Sequence, residues 1–180
     1  MKRKIYLANG LFSEADYNYN ELLANQIDEL GYDLYVPQRN TAINDKTKVA
    51  SSIPIYQGDT DELLSSDIIV AVIDGPIIDP GVAAEIGVIA GINEIISSHT
   101  RKKILALYTD SRDGTHTPSG DPLNTKAQLL QGGIAESQFS YANLYVIGAI
   151  KKYGVVFSSR DELLAYLKKD NIEAWEQLRK

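Results

Sequence analysis

Apolar positions along the chain come in two spacings that alternate from one end to the other. Short continuous runs occur at Ile5-Tyr6-Leu7-Ala8, from Asp33 to Val36, from Asp67 to Ile73, from Lys103 to Tyr108 and from Val155 to Phe157. Asn9-Gly10 ends the first and Pro37 the second; such bounded runs predict strands. Between them the apolar residues return every three or four positions. Ser13 to Leu30 predicts a helix, with Ser13 as cap, Asp16 three residues on in the manner of a capping box, and Gly31 as the stop. A polar loop from Gln38 to Lys46 leads into a helical region reaching Leu64, and further helices are expected from near Gly81 and from about Tyr141 to Lys152. Ser159-Arg160-Asp161-Glu162 caps a last amphipathic helix through Leu167. Strands separated by helical patterns predict βαβ units. The expected fold is α/β, a flavodoxin-like or Rossmann-like three-layer sandwich around a five-stranded parallel sheet. The polar, glycine-bearing stretch 109–121 is too long for an ordinary connection and reads as a lid or an oligomer contact.

Composition narrows the chemistry. At 180 residues and 44% hydrophobic, with no linker-like segment, the chain reads as one domain over 1–180. No apolar stretch is long enough to span a bilayer, and the few apolar residues after Met1-Lys2-Arg3-Lys4 are too few for a signal-peptide core, so a cytoplasmic location is expected. The absence of cysteine closes disulfide, thiol and Cys-ligated metal chemistry. A net charge of −6, with basic residues in groups no larger than three, argues against a nucleic-acid surface. Those groups (Lys2 to Lys4, Arg101 to Lys103, Lys151-Lys152, Lys168-Lys169) read as solubilising flanks. There is no Gly-x-Gly-x-x-Gly after the first strand and no Gly-Lys-Ser/Thr pair, so dinucleotide and triphosphate readings lose their main support. His99 and His116 lie seventeen apart in polar loops, and nothing specific calls for a metal; no metal or organic cofactor is expected.

What remains is carboxylate chemistry. The run ending Ile73-Asp74-Gly75 is followed by Asp79-Pro80-Gly81-Val82-Ala83-Ala84-Glu85-Ile86-Gly87. In an open parallel sheet ligands bind outside the carboxyl ends of the strands, which places Asp74, Asp79 and Glu85 around one crevice, with Asp59 within reach from the preceding helix. Crowded carboxylates raise one another's pKa and can separate nucleophile from acid. Each has a plainer reading beside this one: Glu85 as an exposed complement to the helix dipole, Asp59 as part of a solvated face in Gly58-Asp59-Thr60-Asp61-Glu62, Asp67 as a local cap, Gly10 and Gly81 as tight-turn residues.

Ile5-Tyr6-Leu7-Ala8-Asn9-Gly10-Leu11-Phe12, the spacing Asp59, Asp79, Glu85, and Gly81-x-x-x-Glu85-Ile86-Gly87 together resemble the nucleoside 2-deoxyribosyltransferases over roughly residues 4–157, leaving 159–180 as a helical extension. The resemblance implies that Glu85 attacks the anomeric carbon of a 2′-deoxyribonucleoside, giving a covalent deoxyribosyl-enzyme and a free base that a second base then replaces. It implies that Asp59 contacts the base and donates its proton, and that Asp79 supports it or the sugar. Tyr6 would orient the nucleophile, Phe12 would face the flat base, and Gly10 and Gly81 would lie against the substrate. A neighbouring subunit of a dimer, tetramer or hexamer would contribute Asn124, with Asn143 as the rival. The expected partners are 2′-deoxyribonucleosides, free nucleobases and further copies of the chain. In some members a terminal carboxylate enters the neighbour's site, whereas this chain continues to Lys180; Gln38-Arg39-Asn40-Thr41 carries no readable base preference. Three alternatives stand. A related branch hydrolyses 2′-deoxynucleoside 5′-monophosphates, although the bulky Leu11-Phe12 pair favours an unphosphorylated substrate. The lysine-decarboxylase-like phosphoribohydrolases share a glycine turn and glutamate, but Val82 and Ala83 fit them poorly. A non-catalytic nucleoside-binding module would leave Asp59, Asp79 and Glu85 far apart.

Overall fold

Each apolar run forms a strand in the computed structural model, which describes residues 2–41, 51–110 and 142–178. The order is β1 (Lys4–Ala8), α1 (Glu14–Glu29), β2 (Asp33–Tyr35), a 3-10 turn (Pro37–Arg39), α2 (Ser52–Ser65), β3 (Ile68–Val72) and α3 (Pro80–Ile95). A second 3-10 turn (Ser98–Thr100), β4 (Lys103–Leu107), α4 (Leu144–Tyr153), β5 (Gly154–Phe157) and α5 (Arg160–Leu178) follow. All pairings are parallel and the sheet order is β2-β1-β3-β4-β5. This is the flavodoxin-like order, whose direction reverses between β1 and β3.

The two-residue alternation of a strand sorts side chains between two cores. Ile5, Leu7, Ile68, Val70 and Val72 meet Leu23 and Ile27 of α1 and Leu163 and Leu167 of α5. Tyr6, Ala8, Ile69 and Ala71 meet Leu63 of α2, Val82, Ile86 and Ile89 of α3, and Ile147 and Ile150 of α4. All five residues of β3 are buried, as a strand covered on both faces requires. Each buried isoleucine there contributes about 2 kcal/mol.

Local chemistry sets the ends of the elements. The Ser13 hydroxyl accepts the Asp16 amide at 3.0 Å and α1 ends where Gly31 takes φ +85°. Gly154 starts β5 so close to β4 that a Cβ would lie 1.7 Å from the Ile104 carbonyl oxygen. The left-handed glycines among the described residues are Gly31 and Gly75, not Gly10 or Gly81; Gly81 sits inside the first turn of α3. Gly81 is thus a helix residue and not part of the turn before it, whereas Gly10 does lie in the short connection from β1 to α1.

Two readings gain detail. The last helix continues past the amphipathic stretch ending at Leu167 and runs to Leu178, inside the helical extension expected over 159–180; Asp170 on its next turn is held by Arg3, by Lys103 at 2.6 Å and by the Tyr32 hydroxyl at 3.3 Å. Asn171 also donates to the Leu30 carbonyl at 2.8 Å. The basic groups flanking β1 and β4 are thus clamps as well as solubilising charges: Lys4 pairs with Glu62, and Lys102 reaches the Ser66 carbonyl at 2.5 Å. Asn124, His116 and most of the 109–121 stretch lie outside the described residues. No helix among the described residues is long and apolar enough to cross a membrane.

Candidate active site

Tyr6 is the starting point, because β1 lies beside β3 at the sheet's switch point and turns this side chain toward α2 and α3. The ring is fully buried and its hydroxyl donates to Glu85 Oε1 at 2.6 Å. Glu85 occupies the same side of α3 as Val82 and Ile89, three residues before and four after it, so helical periodicity points the carboxylate inward. It is not the exposed dipole partner of the plainer reading. Its pKa is pushed up to about 7, first by burial, against the Tyr6 hydrogen bond, which lowers it, with the charges of Asp59 and Asp79 adding to the rise. Burial, more than the crowding read from the sequence, makes this carboxylate unusual. Withdrawal from water and the neighbouring carboxylate also raise the Tyr6 pKa, so the phenol stays a donor.

Asp59 comes from α2 and is likewise turned inward. Its Oδ1 accepts the Tyr35 hydroxyl at 2.7 Å, and Tyr35 in turn accepts the Asn40 amide at 2.9 Å. The Asp59 pKa is raised by burial, opposed by the Tyr35 bond and aided by the charge of Glu62. Tyr6 and Tyr35 are register partners on β1 and β2, with ring centroids 5.4 Å apart. Asp79 is the N-cap of α3: its Oδ1 accepts Gly81 N at 2.8 Å and Val82 N at 3.1 Å, while its charge is felt at Glu85. Asp59, Asp79 and Glu85 therefore converge.

Other sequence-singled residues fall elsewhere. Asp74 binds the Thr109 hydroxyl at 2.6 Å and also its amide, and its charge acts on Tyr19 of α1, so it does not join the Glu85 group. Asp67 accepts the Lys4 amide at 2.8 Å, the local role expected of it. Asn143 caps α4. Phe12 is 97% exposed on the loop after β1. Beneath that loop the buried Asn20 accepts from Asn9 at 2.7 Å and donates to the Gly10 carbonyl at 3.0 Å and to Gln38 at 2.8 Å. One α1 asparagine thereby fixes the loops after β1 and β2 together. Sequence reasoning missed Asn20, Tyr35 and Asn40; the signals were a polar residue on the apolar stripe of α1 and a tyrosine closing a strand. Among the described residues no group of three or more His, Cys, Asp or Glu is gathered as a metal would require.

Chemically, Glu85 has Oε1 held by a phenol, which leaves Oε2 for other contacts, and it shares its surroundings with the Asp59 carboxyl, whose pKa burial also raises. A nucleophile and a proton donor on one apolar face suit cleavage of a bond that develops positive charge on carbon.

The chain matches the family described as Nucleoside 2-deoxyribosyltransferase over residues 5–137. No curated protein matches it. Among solved structures, a conserved protein from Enterococcus faecalis V583 is 44% identical, with 94% of this chain and 99% of that one covered and a TM-score of 0.75. A 2-deoxyribosyltransferase from Bacillus psychrosaccharolyticus shares the fold at 17% identity, covering 91% and 95% of the two chains, with a TM-score of 0.57. A 2-desoxiribosyltransferase from Leishmania mexicana does so at 19% identity, 93% and 97% coverage and a TM-score of 0.60.

Proposed function

The chain belongs to the nucleoside 2-deoxyribosyltransferase family, and from that premise we propose that it exchanges the base of 2′-deoxyribonucleosides through a covalent intermediate on Glu85. Oε2 of Glu85 attacks C1′ of the sugar. The N-glycosidic bond breaks with its electron pair passing to the base nitrogen, and Asp59 gives that base its proton. The deoxyribosyl ester on Glu85 is then attacked at C1′ by a nitrogen of a second base, whose proton returns to Asp59 as the carboxylate leaves. Two displacements at one carbon follow the logic of retaining glycosidases, with the base in place of an alcohol.

The observation that carries this reading is the convergence of Glu85, raised to about 7 and held at 2.6 Å by Tyr6, with the Tyr35-bonded Asp59. In this reading Asp79 caps the helix that carries the nucleophile, while its charge raises the Glu85 pKa. Gly10, Phe12 and Gly81 belong on its substrate side, and Asn124 of a neighbouring copy in a homo-oligomer completes the site. Free bases and 2′-deoxyribonucleosides are the partners, in salvage of nucleosides.

The test is incubation with 2′-deoxyinosine with and without adenine, followed by chromatography. Deoxyadenosine should form only with adenine, and Glu85→Gln should abolish it while the protein stays folded. Hypoxanthine released at one rate regardless of adenine would make the protein a hydrolase. Full exchange by Glu85→Gln would remove Glu85 from the chemistry.

A further inference from the structure

The loop after β2 is pinned. Gln38 donates to Glu21 at 2.6 Å, and Arg39 binds Glu21 and Asp28 at 2.9 Å and Asn25 at 2.8 Å, all on α1. The next residue, Asn40, thus meets the Tyr35 hydroxyl from a fixed base. An amide nitrogen only donates, so its bond at 2.9 Å makes the phenol oxygen an acceptor there and directs the phenol's own proton to Asp59 Oδ1. The chain of bonds Asn40 to Tyr35 to Asp59 has one direction. With Oδ1 already accepting, a proton carried by Asp59 belongs on Oδ2.

We propose that Tyr35, oriented by Asn40, is a positioning residue that holds the acid proton of Asp59 on Oδ2 for delivery to the departing base. The proposal rests on the transferase reading above. It gives the Tyr6–Tyr35 pair a division of labour: one phenol takes Oε1 of Glu85 and frees Oε2 to attack, the other takes Oδ1 of Asp59 and frees Oδ2 to protonate. Removing the Tyr35 hydroxyl leaves the nucleophile in place but lets the acid proton sit on either oxygen, and lifts the bond's lowering effect on the Asp59 pKa. The loss should therefore fall on bases that need a proton to leave.

The experiment compares 2′-deoxyinosine with 7-methyl-2′-deoxyguanosine, whose cationic base departs neutral without a proton, using wild type, Tyr35→Phe and Asn40→Leu. Tyr35→Phe should lower kcat on deoxyinosine about tenfold more than on the methylated nucleoside, with KM changed less than about twofold. The alkaline limb of its deoxyinosine pH profile should move upward, and Asn40→Leu should shift the ratio of rates in the same direction by less. Equal losses on both substrates would make Tyr35 a packing residue and overturn the proposal, as would no change on either. Should Tyr35→Phe fail to fold, an unshifted ratio in Asn40→Leu overturns it equally. Wild type inactive on both nucleosides would strike the transferase reading itself.

Discussion

Burial of the Glu85 carboxyl makes its charge a matter of folding free energy as well as of the proposed chemistry. The pKa is raised from 4.5 to about 7, chiefly by burial. A group raised on folding contributes fully while protonated in both states, below pH 4.5; as pH climbs, the unfolded chain ionises first and draws the equilibrium its way. Above pH 7 the whole penalty is in place, at most about 3 kcal/mol. Glu85→Gln keeps the shape without the charge. Urea denaturation should show it more stable than wild type by about 1–3 kcal/mol at pH 8 and indistinguishable at pH 4, with exchange lost throughout; equal stability at pH 8 would show that the ionised carboxylate carries no folding cost. This residue was legible because its spacing from Asp59 and Asp79 is a sequence property. Tyr35 and Asn40 were not, because their meaning depends on β2 lying beside β1, which no spacing along the chain states.

Helix α3 does for the site what no single residue does, since it fixes where Glu85 points. Its start is written plainly: Asp79 accepts two amides that the first turn leaves open, and Pro80 follows where a missing N–H costs nothing. That makes Asp79 two things, a cap and a charge that raises Glu85. Substitution separates them. Asp79→Asn keeps the capping oxygen and removes the charge, so Glu85 should ionise more readily and the acid limb of the kcat/KM profile should move down by about half a pH unit, the effect of a ~0.7 kcal/mol charge interaction. Asp79→Ala should lose the cap as well and cost about 1 kcal/mol in stability. Activity abolished at every pH by Asp79→Asn would show a direct part in the reaction. At the far end of α5 the helical extension was legible but its purpose was not: Lys168-Lys169-Asp170-Asn171 looks like a solvated face, and only the tertiary partners of Asp170 and Asn171 show that it is anchored.

At the scale of the molecule those partners divide the labour between the two faces of the sheet. The site lies under α2 and α3, while α5 covers the other face and brings Asp170 to the amino ends of the strands. Arg3 leads into β1, Tyr32 precedes β2 and Lys103 opens β4, so one carboxylate gathers three strand starts. Asp170 is 8% exposed; burial works against its ionisation, but the Lys103 hydrogen bond and the charges of Arg3 and Lys103 outweigh it and hold the pKa below the ordinary carboxylate value. A group lowered on folding contributes above its unfolded pKa and loses that contribution as pH falls through the folded one. Asp170→Asn takes the shared carboxylate from two partly exposed cations, Arg3 and Lys103, which can still hydrate, so it should cost about 1–2 kcal/mol near neutrality. For a chain of this length that is a fall in Tm of about 2–8 °C. The gap should narrow below pH 3.8, where wild type loses the same charge. Base exchange at 25 °C should persist in this variant, because nothing in the clamp reaches Tyr6, Asp59 or Glu85. A variant that melted like wild type at pH 7 would reduce the clamp to a surface pairing. One that stayed folded yet lost exchange would show that the two faces of the sheet are coupled.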